Sequence, residues 1–174
     1  TAVINSGKED ALEKIKELPE SSILYLSVGA ESPKVVEELR KEAVDVQWVE
    51  VYQPNSSFQG GLALRDSLIG GEDAARTEMT EAQLKETYLS HLKDLLDHMD
   101  IWNSLDLQSS KYVFPGEGKE SALRECYEDA KQLDVLEAKN YCISGKRDEI
   151  VEYLEKTDIS SILVDEVKLS ELSN

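Results

Sequence analysis

The sequence is poor in the residues that mark disulfide-stabilised, metal-binding or membrane-spanning proteins. It has two cysteines and two histidines in 174 residues. Two cysteines build no disulfide framework, so a reducing, cytoplasmic location is expected. His91 and His98 are seven positions apart on a predicted helix with Asp94 between them, and neither a His-x3-His nor a Glu-x-x-His pattern is present. No apolar stretch is long enough to cross a bilayer. The sequence therefore predicts neither a metal site nor a membrane segment.

Positive charge is also scarce. Nineteen lysines and arginines stand against 36 aspartates and glutamates, which gives a net charge of −17. A field of this sign repels phosphate backbones and anionic lipid head groups. The sequence thus argues against nucleic-acid and membrane-surface partners. The acidic surface is expected to support solubility, or to meet a basic protein partner.

Signatures of catalysis are missing as well. There is no Gly-x-Ser-x-Gly elbow for a serine nucleophile. Cys126 and Cys142 have no histidine close by in the sequence, and free cysteines of this kind are usually small core residues. Carboxylates are too numerous for one pair to be singled out as an acid–base couple. The sequence accordingly predicts no catalytic residue.

The chain does contain apolar, β-branched runs that alternate with amphipathic helical stretches. Strands are predicted at residues 22–28, 44–51, 111–114, 140–143 and 161–164, and helices at 9–18, 81–102, 121–133 and 147–154. Thr80 is the predicted N-cap of the longest helix. Strands separated by helix-length connections imply βαβ units. The predicted fold is therefore an α/β, Rossmann-like, open and mainly parallel sheet of five or six strands, with helices on both faces.

The length predicts a single domain over residues 1–174. Residues 53–80 interrupt the alternation of elements with glycine pairs and a proline, and three interpretations stay open for them: a functional loop, a lid, or a disordered insertion. A short helix over 62–68 is one interpretation within this segment. Residues 1–5 are a candidate sixth strand.

The turn after the predicted third strand is the first candidate ligand site. Gly116 and Gly118 would let backbone N–H groups approach an anion at the start of the following helix, and Lys119 would add a positive charge. The spacing is not that of a Walker A loop. An ordinary glycine-rich turn is the simpler interpretation of the same residues.

Two further turns compete for the same role. Gly29 follows the first strong strand, and Ser32 is a predicted helix N-cap with proline directly after it. Ligands of parallel α/β sheets gather at the carboxyl ends of strands, so this turn is expected to lie near the glycine-rich one. Gly145 and Lys146 belong to a Ser-Gly-Lys turn that repeats the one at residues 6–8.

The segment from residue 26 to residue 39, LSVGAESPKVVEEL, resembles the first strand, turn and helix of universal stress proteins. The long insertion after the second strand is also similar to that family. The resemblance implies a homodimer in which the last strand, residues 161–164, pairs across the interface. It also implies ATP or another nucleotide as a ligand, but the family's usual glycine signature is absent, since Gly145 stands alone.

Three function classes remain open on this basis. The first is a non-catalytic regulatory or stress-associated protein that binds a small molecule or nucleotide. The second is a small α/β enzyme or nucleotide-binding subunit that uses the Gly116–Lys119 turn. The third is an acidic interaction protein for a basic partner. A pocket of convergent polar groups would favour an enzyme, and an exposed apolar patch would favour an interaction protein.

Overall fold

Five strands form one sheet in the computed structural model, which describes residues 7–64, 79–104 and 119–169. The strands are β1 (Ser22–Val35), β2 (Asp45–Val51), β3 (Gly61–Ala63), β4 (Glu137–Lys146) and β5 (Ile159–Leu169). The helices are α1 (Lys8–Lys16), α2 (Val36–Leu39), α3 (Glu81–Asp97), α4 (Met99–Ser104), α5 (Lys119–Lys131) and α6 (Arg147–Lys156). The strand order across the sheet is β3-β2-β4-β1-β5.

Every pair of neighbouring strands is antiparallel, so the predicted mainly parallel, Rossmann-like sheet is wrong. Strands β1 and β2 run in the same direction, but β4 lies between them. Strands β4 and β5 also run in the same direction, with β1 between them. Each predicted βαβ unit is thus split by a strand from the other unit. This is the order of a ferredoxin-like β-α-β-β-α-β sheet, with β3 added at one edge.

The predicted helix start at Ser32 is also wrong. Strand β1 continues through this residue to Val35, and α2 begins at Val36. Asp158 holds Ser32 in the extended chain, since its Oδ2 accepts hydrogen bonds from the Ser32 backbone N–H at 3.1 Å and from Oγ at 2.7 Å. Pairing between β1 and β4 shifts register between Gly29 and Lys34. A contact made across the fold has replaced the local capping signal.

Several local predictions are confirmed. Thr80 is the N-cap of α3 in a capping box: Thr80 Oγ1 accepts from the Gln83 N–H at 3.2 Å, and Gln83 Oε1 accepts from the Thr80 N–H at 2.8 Å. Helices α1, α5 and α6 begin within two residues of their predicted first residues. Residues 61–63 form a strand and not the start of a helix. The candidate strands at 1–5 and 111–114 lie outside the described residues.

One face of the sheet carries the hydrophobic core. Alternate residues of β1, namely Leu24, Leu26 and Val28, point to this face and are at most 3% exposed. All six described helices contribute side chains to the same core cluster. Helices α1 and α6 also pack against each other, and Arg147 Nη1 donates to the Leu18 carbonyl at 2.7 Å. The predicted cover of helices on both faces is therefore not found in the described part of the chain.

A buried polar cluster joins the chain after β2 to helices α3 and α5. Gln53 is fully buried, and its Nε2 donates to the Cys126 carbonyl at 3.0 Å and to Asp129 Oδ2 at 2.9 Å. The hydroxyl of Tyr88 donates to Gln53 Oε1. Burial raises the pKa of Tyr88 far above its ordinary value and also raises the pKa of Cys126. Both groups therefore stay neutral and act as structural hydrogen-bonding groups.

We expect Gln53→Ala to lower the free energy of unfolding by about 1–3 kcal/mol, because it leaves a buried hydroxyl and a buried carbonyl without their partner. Urea denaturation followed by circular dichroism measures this change. Gln132→Ala, at an exposed position, is the control and is expected to change stability by less than about 0.5 kcal/mol. Equal effects of the two substitutions would show that the cluster does not stabilise the fold.

Candidate functional site

The face of the sheet opposite the core contains a hollow of about 350 Å³. One row of paired residues runs straight across it, in the order Trp48, Cys142, Ser27 and Leu163 on strands β2, β4, β1 and β5. The large side chains stand at the two ends of the row and the small ones in the middle. Trp48 and Leu163 are each 37% exposed. The hollow exists because the two central strands carry small residues between two bulky walls.

The next row of the sheet keeps the floor low. It contains Glu50, Asn140, Gly29 and Ser161 in the same strand order. A Cβ atom on Gly29 would lie 2.5 Å from Ser161 Oγ and 3.1 Å from Asn140 Oδ1. The neighbouring side chains thus already occupy the space above Gly29. Glycine at this position lets them approach and leaves the floor almost flat.

Trp48 forms the wall of the hollow on the β2 side. Its indole ring lies over Gly61 of β3, where a Cβ atom would overlap the ring. The ring therefore rests on bare backbone at Gly61, and Trp48 also lines the hollow. A tryptophan that is backed by the chain in this way is held in place while one surface stays accessible. This arrangement provides a rigid aromatic wall.

Two carboxylates border the hollow, and floor residues hold both of them. Glu50 Oε1 accepts from Asn140 Nδ2 at 3.4 Å, and Asp165 Oδ2 accepts from Ser27 Oγ at 2.6 Å. Further along the same face, Lys168 Nζ lies 5.2 Å from the centre of the Tyr25 ring and is paired with Glu166 at 3.7 Å. The border of the hollow is thus acidic, and this lysine is already engaged elsewhere.

The described lining of the hollow includes one thiol, that of Cys142. Cys142 Sγ lies 3.5 Å from Ser27 Oγ, and the lining of the hollow includes no histidine or lysine that would activate the thiol. Over residues 7–64, 79–104 and 119–169, no group of three or more His, Cys, Asp and Glu residues is placed to hold a metal ion. The ring of His98, which is the C-cap of α3, is engaged locally, because its Nδ1 lies 2.7 Å from the carbonyl oxygen of Asp94.

The structure separates the sequence-predicted site residues. Gly29 lies under the Ser161 and Asn140 side chains that line the hollow, whereas Gly145 pairs with Leu24, which is five positions away along β1. At about 3.4 Å per residue the two glycines are about 17 Å apart, so they do not form one site. Lys146 follows Gly145 at the end of β4 and is the N-cap of α6.

Of the other predicted site residues, Ser32 has described contacts, and the Gly116–Lys119 turn lies mostly outside the described residues. Ser32 and Lys34 both hydrogen-bond to Asp158, and the Lys34 ammonium with the Ser32 hydroxyl holds the pKa of that carboxyl well below its usual range. Gly116 and Gly118 lie outside the described residues. Lys119 is the first residue of α5.

Sequence reasoning missed most of the residues that form the hollow. The available signal was a pair of small residues at alternate positions in two otherwise bulky strands: Ser27 with Gly29, and Asn140 with Cys142. Such a pattern marks a low sheet surface only when the two strands are neighbours in matching register. That register was not evident from the sequence.

The chain matches no protein-family model, no curated protein and no solved structure. These comparisons neither support nor contradict the resemblance to universal stress proteins. None of the helices in the described ranges is both long and apolar enough to cross a membrane.

We expect iodoacetamide to label Cys142 in the folded protein and to leave Cys126 unlabelled, because Cys142 is partly exposed and Cys126 is fully buried. The Cys126 reaction needs local opening and should be slower by roughly a hundredfold or more. Mass spectrometry of peptide fragments gives the two rates, and Cys142→Ser should remove the fast reaction. Similar rates at both thiols would contradict the described burial.

Proposed function

We propose that this chain is a non-catalytic regulatory protein that binds a basic protein partner on the open face of its sheet. The observation that carries the proposal is the exposed hollow between Trp48 and Leu163, with carboxylates at its border. Exposed apolar side chains grouped around a concavity are typical of interaction sites. Tryptophan is among the residues that contribute most to binding energy when a partner covers it.

Charge favours a basic partner over a nucleotide. The net charge is −17, and Glu50 and Asp165 border the hollow. These groups attract lysine and arginine side chains and oppose phosphate groups. A small enzyme or nucleotide-binding subunit that uses the Gly116–Lys119 turn stays a hypothesis, since that turn lies mostly outside the described residues. We also propose a reducing, cytoplasmic location, and the two free thiols support this proposal.

A random peptide library displayed on phage tests this proposal. We expect the immobilised protein to select peptides that combine lysine or arginine with apolar residues. Synthetic copies of these peptides should bind more weakly as salt rises, because exposed charges are screened. The double substitution Trp48→Ala and Leu163→Ser should weaken their binding by roughly a hundredfold, since it removes both walls of the hollow.

The matched control is Val167→Ser, which removes an exposed apolar side chain from the opposite face of the same sheet. It should leave peptide binding unchanged. The proposal is wrong if the selected peptides show no excess of basic residues, or if the double variant binds them as well as the native chain does.

A second candidate function is self-association. In this proposal two copies of the chain pair through the outer edges of their β5 strands and form a homodimer. No described strand pairs with this edge. Val167 is 42% exposed and Leu169 is 65% exposed beside it. A two-fold axis through Val167 would set Glu166 of one copy opposite Lys168 of the other, so both cross-strand pairs would join opposite charges. Residues 161–164 suit such pairing less well, because β5 has bulges at Ser160 and Asp165, on either side of them.

Charge exchange tests the homodimer. Glu166→Lys should weaken dimerisation roughly tenfold, because it places lysine opposite lysine twice in the symmetric interface. Adding Lys168→Glu to the same chain should restore the original affinity. Sedimentation velocity over a range of concentrations measures both effects. A native chain that stays monomeric at every concentration, or a double variant as weak as the single one, would exclude this interface.

A further inference from the structure

We infer that the partner's anchor in the hollow is an arginine side chain, whose guanidinium lies against the Trp48 ring and pairs with Glu50. The inference rests on the proposed function, since it names the group by which a basic partner is held. The inference is narrower than the proposed function. A basic partner that is anchored by a lysine or an apolar residue would agree with the proposed function but would contradict the inference.

The first support is the aromatic wall. Gly61 lies directly against the indole, and Trp48 is at the same time part of the lining of the hollow. A planar cation stacks on an aromatic ring through both electrostatic attraction and surface contact, and tryptophan is the ring that binds cations best. A ring that packs against the backbone in this way suits a planar ligand, because less side-chain freedom is lost when the two planes meet than with an unsupported ring.

The second support is the position of Glu50. It follows Trp48 by two residues on the same strand, so both side chains start from the open face about 7 Å apart. Asn140, which lines the hollow, donates to Glu50 Oε1 at 3.4 Å and holds the carboxylate toward the floor. A guanidinium stacked on the indole has N–H groups around its edge, and these point in the plane of the group toward such a carboxylate.

The third support is the shape of the space that remains. Between the walls the row contains only Ser27 and Cys142, and in the adjacent row the side chains of Ser161 and Asn140 lie close over Gly29. The aliphatic stem of an arginine would cross this floor, with Leu163 as the apolar contact on the β5 side. Asp165, held by Ser27, supplies a second carboxylate on that side and raises the local preference for a cation.

Arginine fits these features better than lysine does. The guanidinium is planar and weakly hydrated and donates through a fixed fork, so it stacks and pairs at the same time. An ammonium is compact and strongly hydrated, and its pairing with Glu50 would draw it away from the ring. The hollow should therefore distinguish the two cations, which a merely acidic surface does not.

Nuclear magnetic resonance of the full chain tests the inference with small probes. Trp102→Phe leaves Trp48 as the single tryptophan, so one indole N–H signal reports on the hollow. The probes are N-acetyl-arginine amide, N-acetyl-lysine amide and N-acetyl-citrulline amide. We expect the arginine probe to shift the indole signal saturably. The lysine probe should bind roughly fivefold more weakly, and the neutral citrulline probe should cause no saturable shift.

Two variants locate the effect. Glu50→Gln should weaken the arginine probe roughly fivefold and leave the fold intact, as the backbone spectrum will show. Glu152→Gln is its matched control, because it removes an exposed carboxylate from helix α6, away from the hollow, and it should leave the affinity for the arginine probe unchanged. The inference is overturned if arginine and citrulline shift the signal alike, if arginine binds no more tightly than lysine, or if the two glutamate variants behave alike.

The phage-selected peptides separate this inference from the proposed function. Peptides that lose affinity when one arginine is replaced by lysine support both. Peptides that bind through the hollow and tolerate the replacement of every arginine by lysine overturn the arginine anchor and leave the partner-binding function in place. A failure to select any basic peptide overturns the proposed function itself, whatever the small probes do.

Discussion

Burial of one side of strand β1 is the constraint on which the rest of the structure depends. Leu24, Leu26 and Val28 lie on that side and are almost completely shielded from water. Full burial of each such side chain stabilises the folded state by about 1.5–3 kcal/mol relative to leaving it exposed to water. Shielding them requires a neighbour strand on each side and a layer of helices beneath. Strands β4 and β5 provide the neighbours, and α1 and α6 contribute to the layer of helices.

The same constraint acts on one side of β1 only, so the residues on the opposite side do not have to be large or apolar. Ser27 and Gly29 contribute almost nothing to the core, so they are free to be small, and backbone hydrogen bonds to β4 and β5 hold the strand in place without them. The hollow is therefore built on the most firmly paired part of the sheet. Sites on rigid strands hold their geometry better than sites on loops. A partner that binds there meets a surface that is already formed.

The sequence was sufficient for the positions of most elements and insufficient for the direction of the strands. The apolar run at 22–28 and the capping residue Thr80 are local signals, and the structure follows them. The parallel sheet was inferred from helix-length connections between strands. A connection of that length also allows the two strands that it joins to be separated by a third strand. In this sheet β4 lies between β1 and β2, and β1 lies between β4 and β5.

The candidate site was harder to predict for the same reason. Trp48 and Cys142 are opposite each other only because of the register between β2 and β4, which is set by contacts between distant parts of the chain. Ser32 shows the converse case. Its capping signal is genuine in local terms, but Asp158 binds it more effectively in the extended strand. Local propensity yields wherever a partner far along the chain satisfies the same polar group better.

The central position of β1 also sets the order in which the chain can fold as it is made. Ser27 and its contact Cys142 are 115 residues apart in sequence, so the first of the described strands waits for the fourth of the five. Until β4 and β5 emerge, helices are the cover that the described part of the chain can offer to the apolar side of β1. Closing so long a loop costs entropy before any pairing is gained, which makes sheets of this kind slow to assemble. An excess of negative charge keeps such waiting chains apart, so the acidity of this sequence protects its synthesis as well as its finished surface.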